Sequence, residues 1–222
     1  MATALRHPAL VRVLDLVDLD DGGIALVQER LVGANLAVVL ARRGALAVEE
    51  TAALFAPIAR ALELAHDQGI IHRDLKPANV FVVSDGSPPP GRLLDFGATK
   101  LTASTGTVAV TNAWTVAGAT LGSPHYMSPE QAFGEAIDFR SDCWSFGILL
   151  FECLSGRRPV EAPTLLQTFR LLIAGAFAPL ESAAPHVPAE LAAMVGRLLR
   201  SDREERTVMA RDAAAVLEAL AR

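Results

Sequence analysis

The chain has 222 residues, of which 51% are hydrophobic and 20% are charged, so it can bury a sizeable core and is expected to be globular. Its net charge of −5 argues against a nucleic-acid-binding surface, because contact with phosphate backbones requires clustered lysine and arginine. The N-terminus shows no apolar signal core with a cleavage site, and a cytoplasmic location is therefore expected.

The first elements along the chain are two predicted antiparallel strands. Val11 to Asp20 and Ile24 to Arg30 are rich in apolar and β-branched residues and flank the turn-forming sequence Asp-Asp-Gly-Gly. Leu31 to Ala34 then resembles a hinge, which leads into a short predicted helix from about Leu36 to Arg42.

A longer helix and two short strands follow. From Glu49 to Asp67, apolar residues recur with helical periodicity, and Gly69 stands just beyond the predicted end of this helix. Short β-like segments occur around Asn79 to Val83 and Arg92 to Leu94, on either side of a loop with three consecutive prolines. Residues 99–121 show no sustained periodicity and predict a long mobile loop.

The sequence from Asp142 onward is helical in pattern. Its apolar run from Phe146 to Leu154 is interrupted by charge well short of the about 20 residues that a membrane span requires, so no transmembrane helix is predicted. Cys143 and Cys153 lie ten residues apart in one predicted helix, roughly 15 Å along its axis. They cannot form an intramolecular disulfide and are interpreted as core residues.

One segment carries most of the functional information. The sequence His-Arg-Asp-Leu-Lys-Pro-Ala-Asn at residues 72–79 is followed by Asp-Phe-Gly at residues 95–97. This pair of motifs resembles those of the protein kinase family. The lysine at position 76, two residues after Asp74, resembles the pattern of the serine/threonine branch and of the eukaryotic-like kinases of bacteria. The resemblance extends from about Leu5 to Arg222.

The resemblance implies an α+β fold of the protein kinase type. Residues 33–222 would form a mainly α-helical C-terminal lobe that includes an activation segment at residues 95–130. Residues 1–32 would be a two-strand remnant of the N-terminal lobe together with the hinge. The whole chain, residues 1–222, is thus expected to be one truncated kinase domain.

The same resemblance implies a role for each residue of the motif. Asp74 would accept or orient the proton of the substrate hydroxyl, and Lys76 would neutralise charge on the γ-phosphate. Asn79 and Asp95 would supply oxygen ligands to Mg²⁺ bridging the phosphates of ATP. His72 and Phe96 would be packing residues rather than catalytic ones.

The adenine of ATP is expected at the hinge. Gln28 falls at the position that gates the back of this pocket, and backbone groups of Glu29 and Leu31 would bond the edge of the base. The resemblance implies that ATP contacts Glu29, Leu31, Lys76, Asn79, Phe81 and Asp95.

Residues 122–130, Gly-Ser-Pro-His-Tyr-Met-Ser-Pro-Glu, resemble the substrate-docking end of the family's activation segment. Ser123 and Ser128 stand where the family more often has Thr and Ala. Glu130 is expected to form a buried ion pair with Arg206, and Asp142 to tie the central helix to the backbone of the catalytic loop.

Phosphorylation of the activation segment is a further expectation. Arg73 resembles the arginine with which related kinases hold a phosphate on this segment. Among the hydroxyl residues between Asp95 and Glu130, Thr111 and Thr115 are the preferred candidates. A protein with serine or threonine residues is the expected substrate.

Three parts with which the family grips ATP do not occur in this sequence: a glycine-rich loop, a lysine on the third strand and a glutamate on the next helix. The first recognisable segment, Leu5 to Val11, resembles the junction after that helix, so most of an N-terminal lobe is expected to be missing, through loss or a mistaken start. The two strands would then expose an apolar edge, which predicts poor solubility.

Three interpretations remain open. The chain is the catalytic part of a serine/threonine kinase, a pseudokinase that serves as a binding scaffold without transferring phosphate, or a helical interaction protein unrelated to kinases. Retention of Asp74, Lys76, Asn79 and Asp95 favours the first, because a purely structural role would not require these side chains.

Overall fold

The computed structural model describes residues 5–20, 23–86, 90–94 and 124–221. Strand β1, Val13–Asp18, pairs antiparallel with β2, Ile24–Gln28. The predicted hairpin is confirmed, with strands somewhat shorter than expected. Its turn residues Asp21 and Gly22 lie outside the described residues.

A second sheet contains three short antiparallel strands in the order β3-β4-β5. These are β3, Gly33–Asn35, β4, Val80–Val83, and β5, Gly91–Leu93. The last two were predicted, whereas β3 lies in the segment predicted to be a hinge. Gly33 permits this pairing: its φ is +149°, and a Cβ there would lie 2.0 Å from the carbonyl oxygen of Val82.

The helices of the described residues supply most of the structure. They are α1, Leu36–Arg43, α2, Val48–Asp67, α3, Pro129–Phe133, α4, Phe139–Ser155, α5, Leu165–Ile173, α6, Leu180–Ala183, α7, Ala189–Leu198, and α8, Ala210–Leu220. Single 3₁₀ turns occur at Pro77–Asn79 and Pro124–Tyr126. The predicted α1 and α2 are confirmed, as is the mainly helical α+β class.

Helix α4 lies at the centre of the core and packs against α2 and α7. Phe146 on α4 meets Phe55 on α2 edge-to-face, with ring centroids 5.5 Å apart. A Cβ on Gly147 would lie only 2.8 Å from Cβ of Leu198, so this glycine allows α7 to approach α4 closely. Cys143 and Cys153 are free and buried on α4, and burial raises the pKa of the Cys143 thiol to about 12, so both are core residues as expected.

The segment before β1 is joined to the second sheet. Leu93 on β5 donates its N–H to the carbonyl of Ala9 at 2.7 Å, and Val11 donates to the carbonyl of Leu93 at 3.0 Å. Ala9 and Leu10 are consequently buried. Among the described residues, no helix is both long and apolar enough to cross a membrane.

Candidate active site

The candidate catalytic residues lie on the connection between α2 and β4. Gly69 ends the helical region with a φ of +68°, a conformation that glycine adopts without steric cost. The chain then runs through residues 70–76 into the 3₁₀ turn Pro77–Asn79, which is closed by a 3.0 Å bond from Asn79 N–H to the carbonyl of Lys76. This turn places Asn79 directly before β4.

The structure brings Asp74, Lys76 and Asn79 together. Lys76 Nζ donates to Asp74 Oδ2 at 2.5 Å, and the Asn79 amide donates to the same oxygen at 3.1 Å. The Asn79 amide also donates to the backbone carbonyl of Asp74 at 2.8 Å. The Asp74 side chain is 49% exposed. Its carboxylate is thus held by hydrogen bonds and still faces solvent.

Asp142 on α4 fixes the backbone that leads to Asp74. Its carboxylate accepts the N–H of His72 at 2.8 Å and that of Arg73 at 2.9 Å. Nε2 of His66 on α2 lies 2.8 Å from the same carboxylate. The expected tie between the central helix and the catalytic loop is confirmed, and the buried carboxylate has partners for both oxygens.

His72 holds the start of the segment that carries the second motif. Its ring is buried, and Nε2 lies 3.1 Å from the carbonyl of Leu94. The N–H of Leu94 donates to the carbonyl of Asn79 at 2.8 Å. Leu94 is therefore fixed beside Asn79, and Asp95 is the next residue in the sequence. Asp95 and Phe96 themselves lie outside the described residues.

The side chain of Asn79 fits the expected metal ligand. Its amide nitrogen is committed to Asp74, whereas its oxygen accepts no hydrogen bond from any described residue and remains available to a hard cation. Within the described ranges, no cluster of three His, Cys, Asp or Glu side chains could hold a metal. The predicted ligand pair, an amide and the carboxylate of Asp95, would not form such a cluster.

The predicted adenine-binding segment follows β2. The N–H of Glu29 donates to the carbonyl of Arg12 at 2.9 Å, and the Glu29 carboxylate accepts the N–H of Arg12 at 2.8 Å. Only the carbonyl of Glu29 is thus left among its backbone groups for a ligand. Leu31 lies two residues before β3, which pairs Asn35 with Phe81 on β4. Phe81 therefore lies in the sheet whose first strand, β3, begins within the predicted hinge.

Gln28, at the predicted back of the adenine pocket, ends β2. Its amide nitrogen is buried and has no hydrogen-bond partner within the part of the chain that the structure describes. A buried donor of this kind normally finds a partner.

The predicted ion pair between Glu130 and Arg206 is confirmed. Two guanidinium nitrogens lie 2.7 and 3.1 Å from the carboxylate oxygens, and both side chains are buried. Burial alone would raise the pKa of Glu130, but hydrogen bonds from Arg206 and from Ser141, the latter at 2.6 Å, outweigh it and lower this pKa. Arg206 also bonds the Arg140 carbonyl at 2.8 Å.

The contacts of two residues near this pair, Tyr126 and Gln131, were not predicted from the sequence. Tyr126 donates its hydroxyl to Glu152 on α4 at 2.6 Å, and its carbonyl accepts the Ser145 hydroxyl at 2.6 Å. The side-chain amide of Gln131 on α3 donates to the carbonyl of Arg73 at 2.8 Å. Both join segments far apart in the chain and leave no periodic or motif signal that sequence reasoning could use.

Comparison with known proteins matches the sequence of this chain to a family model. The family model described as protein kinase domain matches residues 1–216. The chain is 38% identical over 221 residues to the serine/threonine-protein kinase pkn2 of Myxococcus xanthus, covering 99% of this chain and 26% of that protein.

Other relatives agree. Serine/threonine-protein kinase pkn3 of Myxococcus xanthus is 38% identical over 162 residues, 72% of this chain and 29% of that protein. Serine/threonine-protein kinase PknB of Mycobacterium tuberculosis is 35% identical over 161 residues, 71% of this chain and 24% of that protein. The chain thus spans about a quarter of the length of these curated relatives. On the match of nearly its whole length to the family model, this chain belongs to the protein kinase family.

Proposed function

We propose that this domain transfers the γ-phosphate of ATP to a serine or threonine hydroxyl of a protein. The observation that carries the proposal is the bonded group of Asp74, Lys76 and Asn79 on the catalytic loop of a protein kinase domain. Phosphoryl transfer depends on positioning and on cations beside the phosphate oxygens, and this group supplies an acceptor, a cation and a metal-type oxygen.

Asp74 is the proposed acceptor of the substrate hydroxyl proton. Its carboxyl group is held by Asn79 yet about half exposed, so a hydroxyl from another protein can reach it. Lys76, whose ammonium contacts Asp74, lies where it can bond a phosphate oxygen while the hydroxyl takes its place at the carboxylate. The two side chains would thus orient the nucleophile and the transferred group.

Mg²⁺ is the proposed metal, with Asn79 and Asp95 as its ligands. Bound there, it would neutralise charge on the phosphates of ATP. The free amide oxygen of Asn79, and the bonds that fix Leu94 beside that residue, support this assignment. We place the adenine against Phe81, with the Glu29 carbonyl and the Leu31 backbone at the edge of the base.

The test is transfer of labelled phosphate from Mg-ATP to a basic protein rich in serine and threonine. We expect Asp74→Asn to lower the rate by at least about 100-fold, since it removes a proton acceptor without changing side-chain shape. Asp67→Asn, which removes the same charge from an exposed residue at the end of α2, is the matched control. A chelator should abolish transfer, and added Mg²⁺ should restore it.

Equal transfer by the native chain and by Asp74→Asn would remove Asp74 as the proton acceptor. Binding of ATP without any transfer by the native chain would instead support the pseudokinase interpretation. The geometry of Asp74, Lys76 and Asn79 favours transfer, because a scaffold would gain nothing from an exposed carboxylate held by two bonds.

Regulation by phosphorylation is a second part of the proposal. The guanidinium of Arg73 has no hydrogen bond or ion pair with any described residue, although its backbone is bonded on both sides. An unpaired cation next to Asp74 would gain a partner from a phosphate on Thr111 or Thr115, both of which lie outside the described residues.

We also propose a cytoplasmic location, where ATP is available.

Mass spectrometry of the active protein tests this regulation. We expect phosphate within residues 102–120, and an activity gain on phosphorylation that Arg73→Ala removes. Active protein that carries no phosphate in this segment would contradict the proposal.

A further inference from the structure

The backbone of Arg73 is unusual among the described residues. Its φ is +69°, and within the described ranges no other residue except glycine lies in the left-handed region. A side chain makes this conformation unfavourable, so the surrounding structure has to impose it. Arg73 lies immediately before Asp74. The orientation of the peptide group between them therefore determines the backbone position of Asp74, the proposed proton acceptor.

Opposite sides of this residue are held by different helices. The N–H of Arg73 donates to Asp142 on α4 at 2.9 Å, and its carbonyl accepts the Gln131 amide on α3 at 2.8 Å. The peptide that joins Arg73 to Asp74 is planar, so a bond to its carbonyl also orients its N–H. That N–H, which belongs to Asp74, lies 3.3 Å from Nδ1 of His72.

Both the oxygen and the nitrogen of the Gln131 side-chain amide form hydrogen bonds. Its oxygen accepts the N–H of Ser128 at 3.0 Å, and the Gln131 N–H donates to the Ser128 hydroxyl oxygen at 3.4 Å; these two bonds form the capping box at the start of α3. The same oxygen also accepts the Ser128 hydroxyl at 3.1 Å. Its nitrogen donates to Arg73. A carboxylate could replace the oxygen in the cap but could not donate to Arg73.

We propose that Gln131 is a positioning residue for the catalytic loop. Through its bond to the Arg73 carbonyl, Gln131 fixes the orientation of the peptide group between Arg73 and Asp74. It thereby connects this peptide to α3, which directly follows the expected substrate-docking segment. This inference deepens the proposed kinase activity and rests on it.

Variants can separate this role from the cap of α3. Gln131→Glu keeps an acceptor for the cap and loses the donor to Arg73, whereas Gln131→Met loses both the donor and the cap acceptor without adding charge. Ser128→Ala removes the hydroxyl of the cap and leaves the Gln131 amide in place. Ala is common at this position in the family that the sequence resembles, so Ser128→Ala is expected to fold.

Steady-state kinetics is the first measurement. We expect kcat to fall by about tenfold or more in Gln131→Glu and in Gln131→Met, with KM for ATP within about twofold, because small misplacements of a reacting group lower the rate strongly. Ser128→Ala should lose less kcat than either, although its melting temperature falls. An equal loss of kcat in Ser128→Ala would overturn the inference, since the cap alone would then explain it.

Hydrogen exchange is the second measurement, and it does not need activity. In Gln131→Glu the amides of residues 72–74 should exchange faster while those of α3 keep their protection; in Ser128→Ala the pattern should be reversed. Unchanged protection of residues 72–74 in Gln131→Glu would overturn the inference. If the native chain transferred no phosphate but Gln131→Glu still loosened this loop, the proposed function would fail and the positioning role would stand.

Discussion

Among the described carboxyl groups, Glu152 is one whose surroundings disfavour charge. It lies half-buried on the central helix α4 and accepts the hydroxyl of Tyr126 at 2.6 Å. Burial raises its pKa above the ordinary value of 4.5, although the Tyr126 bond and the nearby Arg158 act in the opposite direction. Ionisation of Glu152 is therefore less favourable in the folded state than in the unfolded state, and it lowers the free energy of unfolding.

The pH dependence of stability should reveal this cost. A raised pKa in the folded state gives a contribution that is full below the unfolded pKa and is lost as the pH rises through the folded pKa. We therefore expect Glu152→Gln, which keeps an acceptor for Tyr126, to melt at a higher temperature than the native chain at pH 7 to 8. The difference should shrink towards pH 4.5.

Thermal denaturation over this pH range is the measurement, and Glu205→Gln is the control. Glu205 is exposed, so its neutralisation removes a charge from the surface rather than from the interior. A melting difference for Glu152→Gln that did not vary with pH would contradict the explanation.

The proximity of the residues of the first motif could be predicted from the sequence because their spacing is local. Asp74, Lys76 and Asn79 lie within six residues, and one turn brings them together. Gln131 and Glu152 could not be found in this way. Their partners lie 58 and 26 residues away, and only the packed structure shows which atoms meet.

At the level of elements, Arg206 joins three parts of the helical region. It pairs with Glu130 on α3, donates to the carbonyl of Arg140 on α4 and reaches the carbonyl of Arg200 after α7 at 3.0 Å. Its guanidinium also lies 5.2 Å from the ring centroid of Trp144. The planar group bonds one carboxylate and two backbone carbonyls at once, a geometry that lysine cannot reproduce.

Loss of Arg206 should accordingly be costly. We expect Arg206→Leu to lower the free energy of unfolding by about 3–5 kcal/mol, because it leaves Glu130 buried without its cation. Adding Glu130→Gln to this variant should recover part of the loss. Chemical denaturation of the single and double variants measures both effects.

Arg60 provides the comparison for that experiment. It also forms a two-bond contact, with Glu218, but the Arg60 side chain is 37% exposed. Arg60→Leu should therefore cost no more than about 1 kcal/mol. Similar losses for Arg60→Leu and Arg206→Leu would show that burial is not what makes the Arg206 pair important.

Element prediction succeeded where the pattern was long and regular. Helix α2 was predicted within one residue at its start, because apolar residues repeat along its length. The three-residue strand β3 has no pattern of its own, and its pairing with β4 depends on the space left by Gly33. Such a strand is defined by its neighbour rather than by its own residues.

For the molecule as a whole, exposed apolar side chains of the described residues are concentrated on the β1–β2 hairpin. Leu14, Leu16 and Ile24 are 52%, 50% and 57% exposed, and further valines along both strands are also accessible. Apolar strands with accessible edges favour association between copies. The structure thus agrees with the expectation of poor solubility, which stays a prediction.

Charged substitutions on the hairpin should reduce this association. We expect Leu14→Lys combined with Ile24→Lys to lower the average mass of the 222-residue chain in light scattering at equal concentration, while the Asp74-dependent transfer rate changes little. Leu166→Lys, at a 44% exposed leucine on α5, is the control and should not have this effect. Unchanged association in the double variant would exclude the hairpin as its cause.

The contacts of Asp142 also govern when this site appears during folding. His66, His72 and Arg73, its three partners, lie 76, 70 and 69 residues earlier in the chain, so none of these bonds can form before a long loop has closed. Helix α2 can form from local contacts, but the backbone before Asp74 gains its shape only when α4 docks. A partly folded chain would therefore have the sequence of a kinase without its chemistry.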